Sequence, residues 1–127
     1  MATGLATATC TAILDAIGNA TPFSFSAVWI KLHVGDPGAA GTANAAVETD
    51  RQQASFSAAS GVTLTNDAVL TWLAVAAIED YTHFSAWTAN AAGTFEFSGL
   101  ITANAMQIGD DFVVGVGDLD LALTAAS

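Results

Sequence analysis

Between residues 28 and 34 the chain alternates strictly. Val28, Ile30, Leu32 and Val34 fall on one side, Trp29, Lys31 and His33 on the other. A period of two is that of a β-strand with one face in a core and one face turned outward. The same short-period pattern predicts further strands over 51–58, 62–65, 68–75, 81–88, 94–101, 112–116 and 119–124. Turn material separates them: Ala59-Ser60-Gly61, Asn66-Asp67, Asn90-Ala91-Ala92-Gly93, Gly109-Asp110 and Gly117-Asp118. Ahead of the first strand the spacing changes. Ile13, Leu14 and Ile17 recur at helical intervals, with Leu5 and Cys10 nearby. Gly18-Asn19 then supplies a stop and Pro22 closes the exit, which predicts a short N-terminal helical segment within 1–20. Seven to eight short antiparallel strands and one helix give a mainly β chain, a single β-sandwich or barrel-like domain over 1–127.

One stretch fits no element. Residues 35–50 open with Gly35-Asp36-Pro37-Gly38, a turn in which proline fixes φ and glycine accepts positive φ. Small residues then run on to Asp50. A loop of this length is expected to be mobile or to be held by a partner.

Composition narrows the picture. Of 127 residues 53% are hydrophobic, but 28 of these are alanine, and Ile, Leu, Val, Phe, Trp and Met number 37, a normal load for one core. The positive mean hydropathy therefore signals no membrane protein: no run approaches the ~20 apolar residues of a spanning helix. The N-terminal stretch also has no basic start of the signal-peptide kind. Two cations, Lys31 and Arg51, stand against twelve carboxylates, a net charge of −10. Nothing here can neutralise a nucleic-acid backbone or dock on an anionic membrane, so neither is an expected partner. A single cysteine, Cys10, permits neither an internal disulfide nor a cysteine metal cage. A surface this poor in charge suits a protein that works assembled.

Candidate chemistry is thin. His33 and His83 are the two histidines. His33 is expected partly exposed on the polar face of its strand, and His83 packed on a face with Tyr81, Ser85 and Trp87. No nucleophile elbow occurs, and Ser85 is not aimed at His83. Asp110-Asp111 and Asp118-Leu119-Asp120 cluster oxygen ligands but match no Ca²⁺ loop; the leucines of 118–123 turn inward and the aspartates outward. Glu79-Asp80 and Glu96 have no spacing that favours glycoside hydrolysis, and the glycines of 35–41 lack a phosphate-loop lysine. No catalytic residue, metal ligand or cofactor is predicted. Trp29, Trp72 and Trp87 could stack on sugars, but their place in strands favours core packing or a subunit interface. Arg51 is expected to pair with a carboxylate, within the fold or across a subunit boundary.

Taken in order, these pieces resemble a family of small tailed-phage virion proteins, known as tail-fibre or minor tail proteins. The resemblance runs from the helix stop at Gly18-Asn19 through Trp29-Ile30-Lys31-Leu32-His33-Val34 into Gly35-Asp36-Pro37-Gly38. It continues with Arg51-Gln52, Phe56-Ser57-Ala58-Ala59-Ser60-Gly61, Tyr81-Thr82-His83-Phe84-Ser85-Ala86-Trp87 and Gly93-Thr94-Phe95. Gly109-Asp110-Asp111-Phe112 and Gly117-Asp118-Leu119-Asp120-Leu121 close it. The chain departs from the pattern at Val47-Glu48-Thr49-Asp50, where similar proteins carry a glycine-rich stretch and a tyrosine.

The resemblance implies a non-enzymatic virion structural protein made in the host cytoplasm. The chain is also similar in size and strand content to capsid decoration proteins. One compact domain without repeats fits a clamp on a lattice better than a rod. The leading expectation is therefore a decoration protein on the capsid's outer surface, a homotrimer stabilising the shell against the major capsid protein. The alternative is a tail or fibre-associated protein that contacts other tail proteins or host glycan. Expected interface residues are Leu5, Ile13, Leu14 and Ile17 in the helical segment, Asp36 and Pro37 in the loop, and Trp29, Arg51 and Trp87.

Overall fold

The structure is a computed structural model and describes residues 3–127, the side chain of Ala103 excepted. Residues 1 and 2 of the expected helical segment lie outside the described residues. One helix, α1 (Thr7–Gly18), precedes eight strands: β1 (Val28–His33), β2 (Gln52–Ala54), β3 (Thr63–Thr65), β4 (Leu70–Trp72), β5 (Glu79–Trp87), β6 (Phe95–Met106), β7 (Phe112–Val114) and β8 (Asp120–Ala122). β1, β2, β5 and β6 form an antiparallel sheet in the order β2-β1-β5-β6, while β3-β8 and β4-β7 form two separate two-stranded ribbons. The fold is mainly β and sandwich-like, with the second layer split in two. Most predicted strands shorten, because turn residues at their ends take the backbone out of the ladder. β6 instead runs on to Met106, beyond the predicted end at 101.

Register decides what each layer buries. β1 meets β5 with Ile30 opposite Ala86 and Leu32 opposite Phe84, and facing residues share a side of the sheet. All four are buried, together with Ala54 and Phe97 from the outer strands. From the ribbons, Leu70, Trp72, Phe112 and Val114 close over them, and Val75 and Leu119 fill in from the connections. Aromatic edges knit this core. Tyr81 meets Phe112 at 4.9 Å and Phe84 meets Phe97 at 6.0 Å, both edge to face. Phe84 lies over its cross-strand neighbour Gly99, where any Cβ would collide with the ring.

Asn66 joins the two ribbons. Its amide donates to the carbonyls of Ala68 and Gly115, and its side-chain oxygen accepts the N–H of Leu119, each at 2.9 Å. The sequence marks Asn66 only as turn material. Its burial shows it to be a polar tie fully satisfied inside the fold.

The loop after β1, expected to be mobile or held by a partner, is closed by hydrogen bonds of its own. Val34 N–H donates to Asn44 O, Ala43 N–H to Pro37 O, and Gly38 N–H to the Asp36 carboxylate. Pro37 is fully buried. Gly41 adopts φ +72° with the Phe95 ring against the space a side chain would need. Gly41→Ala should therefore cost roughly 2 kcal/mol or more, adding a ring collision to left-handed strain. Gly109→Ala, at φ +89° in open space, should cost only about 1 kcal/mol. Urea denaturation of the two variants checks the difference.

Candidate functional site

Three places hold the chain's chemistry: the outer face of the main sheet, the buried Glu96, and the surface around α1. On the first, Trp29, Lys31 and His33 of β1 face Trp87, Ser85 and His83 of β5. The expectation that His33 is partly exposed is overturned. His33 and Ser85 are completely buried, because the loop folds back over the end of the strand. His33 Nδ1 lies 2.8 Å from the carbonyl of Ala43 and Nε2 2.7 Å from Ser85 Oγ. A carbonyl can only accept, so Nδ1 carries the proton and Nε2 accepts from the serine hydroxyl. Ser85 Oγ in turn accepts the Trp87 indole N–H at 2.7 Å. Burial, the largest cause, lowers the His33 pKa, so the neutral ring is favoured.

A serine bonded to a histidine nitrogen is the starting geometry of nucleophilic catalysis. Here the oxygen is sealed between Trp87 and the loop, and its lone pair already takes a donor. The pair is a latch that fixes the loop to the sheet. His83 is half-buried and its Nδ1 meets Thr82 Oγ1 at 2.7 Å.

Among the described residues Arg51 pairs with no carboxylate of its own chain: Nη1 donates to the carbonyls of Ala89 and Ala92 at 2.7 and 2.8 Å. Its guanidinium stacks 4.5 Å above the centre of the Trp87 ring, a favourable cation–π contact. The turn it clasps holds Ala92 at φ 54° and Gly93 at φ 78°. Trp87 is thereby occupied on one face by Arg51 and flanked by Phe95 at 5.6 Å. Trp72 is core. Trp29 is half-buried.

Three aspartates of the C-terminal third cap turns. Asp110 accepts from Gln107 N–H, Asp111 from Ala74 N–H and Asp118 from Gly115 N–H. Leu119 is buried and Asp118 and Asp120 are exposed, in the expected alternation, but Leu121 is only half-buried and Leu123 is exposed, because β8 ends at Ala122. Glu48 and Glu79 brace the loop's far end. Glu79 accepts from the N–H groups of Val47 and Glu48, and Glu48 from Asp50. Among the described residues, no group of three or more His, Cys, Asp and Glu side chains is arranged to hold a metal ion.

Glu96 is different. It sits where β6 bulges against β5, between Phe95 opposite Trp87 and Phe97 opposite Ala86. It has no exposed surface and neither carboxylate oxygen has a hydrogen-bond partner. Burial alone pushes its pKa up to about 7. Nothing in the sequence separates this glutamate from an exposed one.

Residues 4–6 run antiparallel along the free edge of β6 through an isolated bridge. Leu5 bridges Phe97, Ala6 N–H donates to Glu96 O, and Ser98 N–H donates to Gly4 O. α1 follows, and Thr9 is its only buried residue. Leu14 and Ile17 are 66% and 78% exposed. Beside the helix lies an apolar groove lined by Leu5, Ile13, Val62, Leu64, Leu121 and Leu123. No charged side chain lines it. The structure thus brings Leu5 and Ile13 together, sets Leu14 and Ile17 outward on the same arm, and spends Pro37 inside its own loop.

Comparison with known families decides the larger identity. The family model of Podophage GP4 fiber I protein gp80 matches residues 4–122. The chain belongs to this fibre-protein family. It is a bacteriophage virion structural protein, as the ordered motifs implied. No curated protein matches it. The gp80-family match spans both the β6-bound arm and the sheet, so the arm belongs to the matched region.

Two outcomes test these assignments. Ser85→Ala should cost about 2–3 kcal/mol by stranding the buried His33 nitrogen and Trp87 N–H, read by urea denaturation. Glu96 holds its proton in the fold to about pH 7, whereas an exposed glutamate releases it near 4.5. The fold therefore binds more protons than the unfolded chain in this window, and stability falls as pH rises from about 4.5 to 7. Glu96→Gln should raise stability at pH 8 relative to pH 5 by roughly 1–3 kcal/mol. His33 acts oppositely, since its lowered pKa removes stability on acidification below about 6.5.

Proposed function

We propose that the chain is a structural subunit of the phage fibre apparatus that assembles with further copies of itself through the α1 arm and its groove. The observation that carries this reading is the pairing of a protruding apolar ridge, Leu14 and Ile17, with an uncharged groove beside it. Copies each carrying a net charge of −10 repel at long range, so close contact is favoured at a surface free of carboxylates, as the groove is. Seating the ridge of one copy in the groove of the next buries apolar area on both, and such a contact repeated around an axis closes a ring. Three copies are the expected ring. Catalysis has no part in this work. The matched family's name supports the fibre over the shell.

A second reading is kept alive by one observation, the compactness of a single domain without repeats: a decoration protein on the capsid, bound to the major capsid protein. The two readings differ in stoichiometry. Cryo-EM of intact particles should place a few to a few dozen copies at the tail; hundreds spread over the shell would replace the fibre reading with decoration. A host-glycan contact through the tryptophans has less support, because Arg51 and Phe95 occupy Trp87.

Leu14→Asp with Ile17→Asp tests the ridge directly. Both side chains are solvent-exposed in the single chain, so stability should change by no more than about 0.5 kcal/mol. The purified variant should nevertheless be monomeric in analytical ultracentrifugation and absent from virions. A variant that still forms rings and enters particles at the native copy number overturns the proposed contact.

A further inference from the structure

The arm is held at few points. Its polar attachments to β6 are the two backbone hydrogen bonds of the Leu5–Phe97 bridge and two side-chain bonds, from Gly4 N–H to Ser98 Oγ and from Thr9 Oγ1 to Glu96 O; beyond these, Leu5 packs against the core and Ala6 and Thr9 are buried. The first helical turn has no side-chain cap and no acidic residue, so its free N–H groups gain nothing from the usual sources. On the far side, within the described residues, no backbone hydrogen bond ties 22–26 to the fold. Ala20 stands at φ 52°, where a non-glycine residue is strained. Such a segment can act as a hinge.

Two of the arm's bonds end on a single carbonyl, that of Glu96. The side chain of the same residue is the buried carboxyl without a partner. A neutral carboxylic acid tolerates such a site; a buried carboxylate there, with no donor from the protein, is costly. Ionisable groups on the surrounding elements are Cys10 and Asp15 on α1, Lys31 and His33 on β1, Arg51 ahead of β2, and Glu79, Asp80, Tyr81 and His83 on β5. None of them contributes to the state of Glu96, which burial alone sets. On its other side β6 is held by a nearly continuous ladder to β5. The arm is therefore the weaker neighbour, and the one that yields first.

We propose that residues 4–18 are a releasable clasp on β6 latched by Glu96, lying down while the carboxyl is protonated and lifting when it ionises, so that water reaches the carboxylate. Lifting frees Glu96 O and Ser98 N–H on the sheet edge and swings Leu14 and Ile17 with the helix. Mildly alkaline conditions thus favour the free arm, and acidic conditions the docked one. The proposal names a control on the arm that the assembly reading uses, and rests on that reading only for its consequence. Its test uses the isolated chain, so failure of one leaves the other standing.

Cys10, the only cysteine, is exposed on α1 and takes a single pH-insensitive maleimide dye. Between pH 5.5 and 8.5 the dye's anisotropy should fall. Protection of the Ala6 and Ser98 amides against hydrogen exchange, corrected for intrinsic rates, should drop at least tenfold, with far-UV circular dichroism of the sheet unchanged. In Glu96→Gln, and in Glu96→Leu as a second variant without a titratable group, the arm should stay docked at both pH values. Equal protection at both pH values in the native chain overturns the proposal. So does release that persists in both variants, or loss of the whole sheet at pH 8.5.

Discussion

Pairing β1 with β5 in one register is the constraint from which the rest of this molecule follows. With Leu32 opposite Phe84 and Ile30 opposite Ala86, one face of the sheet becomes core. The opposite face then receives Trp29, Lys31 and His33 against Trp87, Ser85 and His83. A slip of one residue would exchange the two sets and put histidine and lysine into the core. The same register brings His33 to Ser85, and so lets the loop fold back onto the sheet with its carbonyl at Ala43 bonded to the imidazole. Arg51 extends the arrangement across β2 to the β5–β6 turn. Core, loop and turn are thus held from a single strand pair.

The edge strand β6 concentrates what is unusual. Its bulge carries Glu96 inward without a partner, and its outer edge is covered only by the residues leading into α1. Exposed sheet edges invite pairing with other chains, and this protein covers part of its own with a short, poorly capped arm. A covered edge and an apolar ridge on one arm are compatible with the proposed self-assembly.

Much of the fold is legible in the sequence, because alternation and turn residues are local signals. The strands appear near where they are predicted, and the alternation at 118–121 buries Leu119 while exposing Asp118 and Asp120. The helix ends at Gly18 and Asn19 as the stop signal requires. What escapes is anything set by a contact distant in the chain. His33 lies on the polar side of its strand by pattern, yet is buried because residues ten positions later cover it. Arg51 looks like half of an ion pair, yet backbone carbonyls and an indole ring satisfy it. Asn66 is marked only as turn material, and nothing marks Glu96 as buried.

The sequence by itself determined a charge-poor, acidic, mainly β domain with an amphipathic start, and the ordered motifs of a phage virion protein. Periodicity, turn chemistry and charge are properties of neighbouring residues, and survive without a fold. Tertiary structure alone decided which polar groups are buried and what satisfies them: the serine that holds His33, the ring beneath Arg51, and the absence of any donor at Glu96. Those outcomes depend on register and on loop closure over tens of residues, where a side chain's neighbours are chosen by packing and not by its place in the chain.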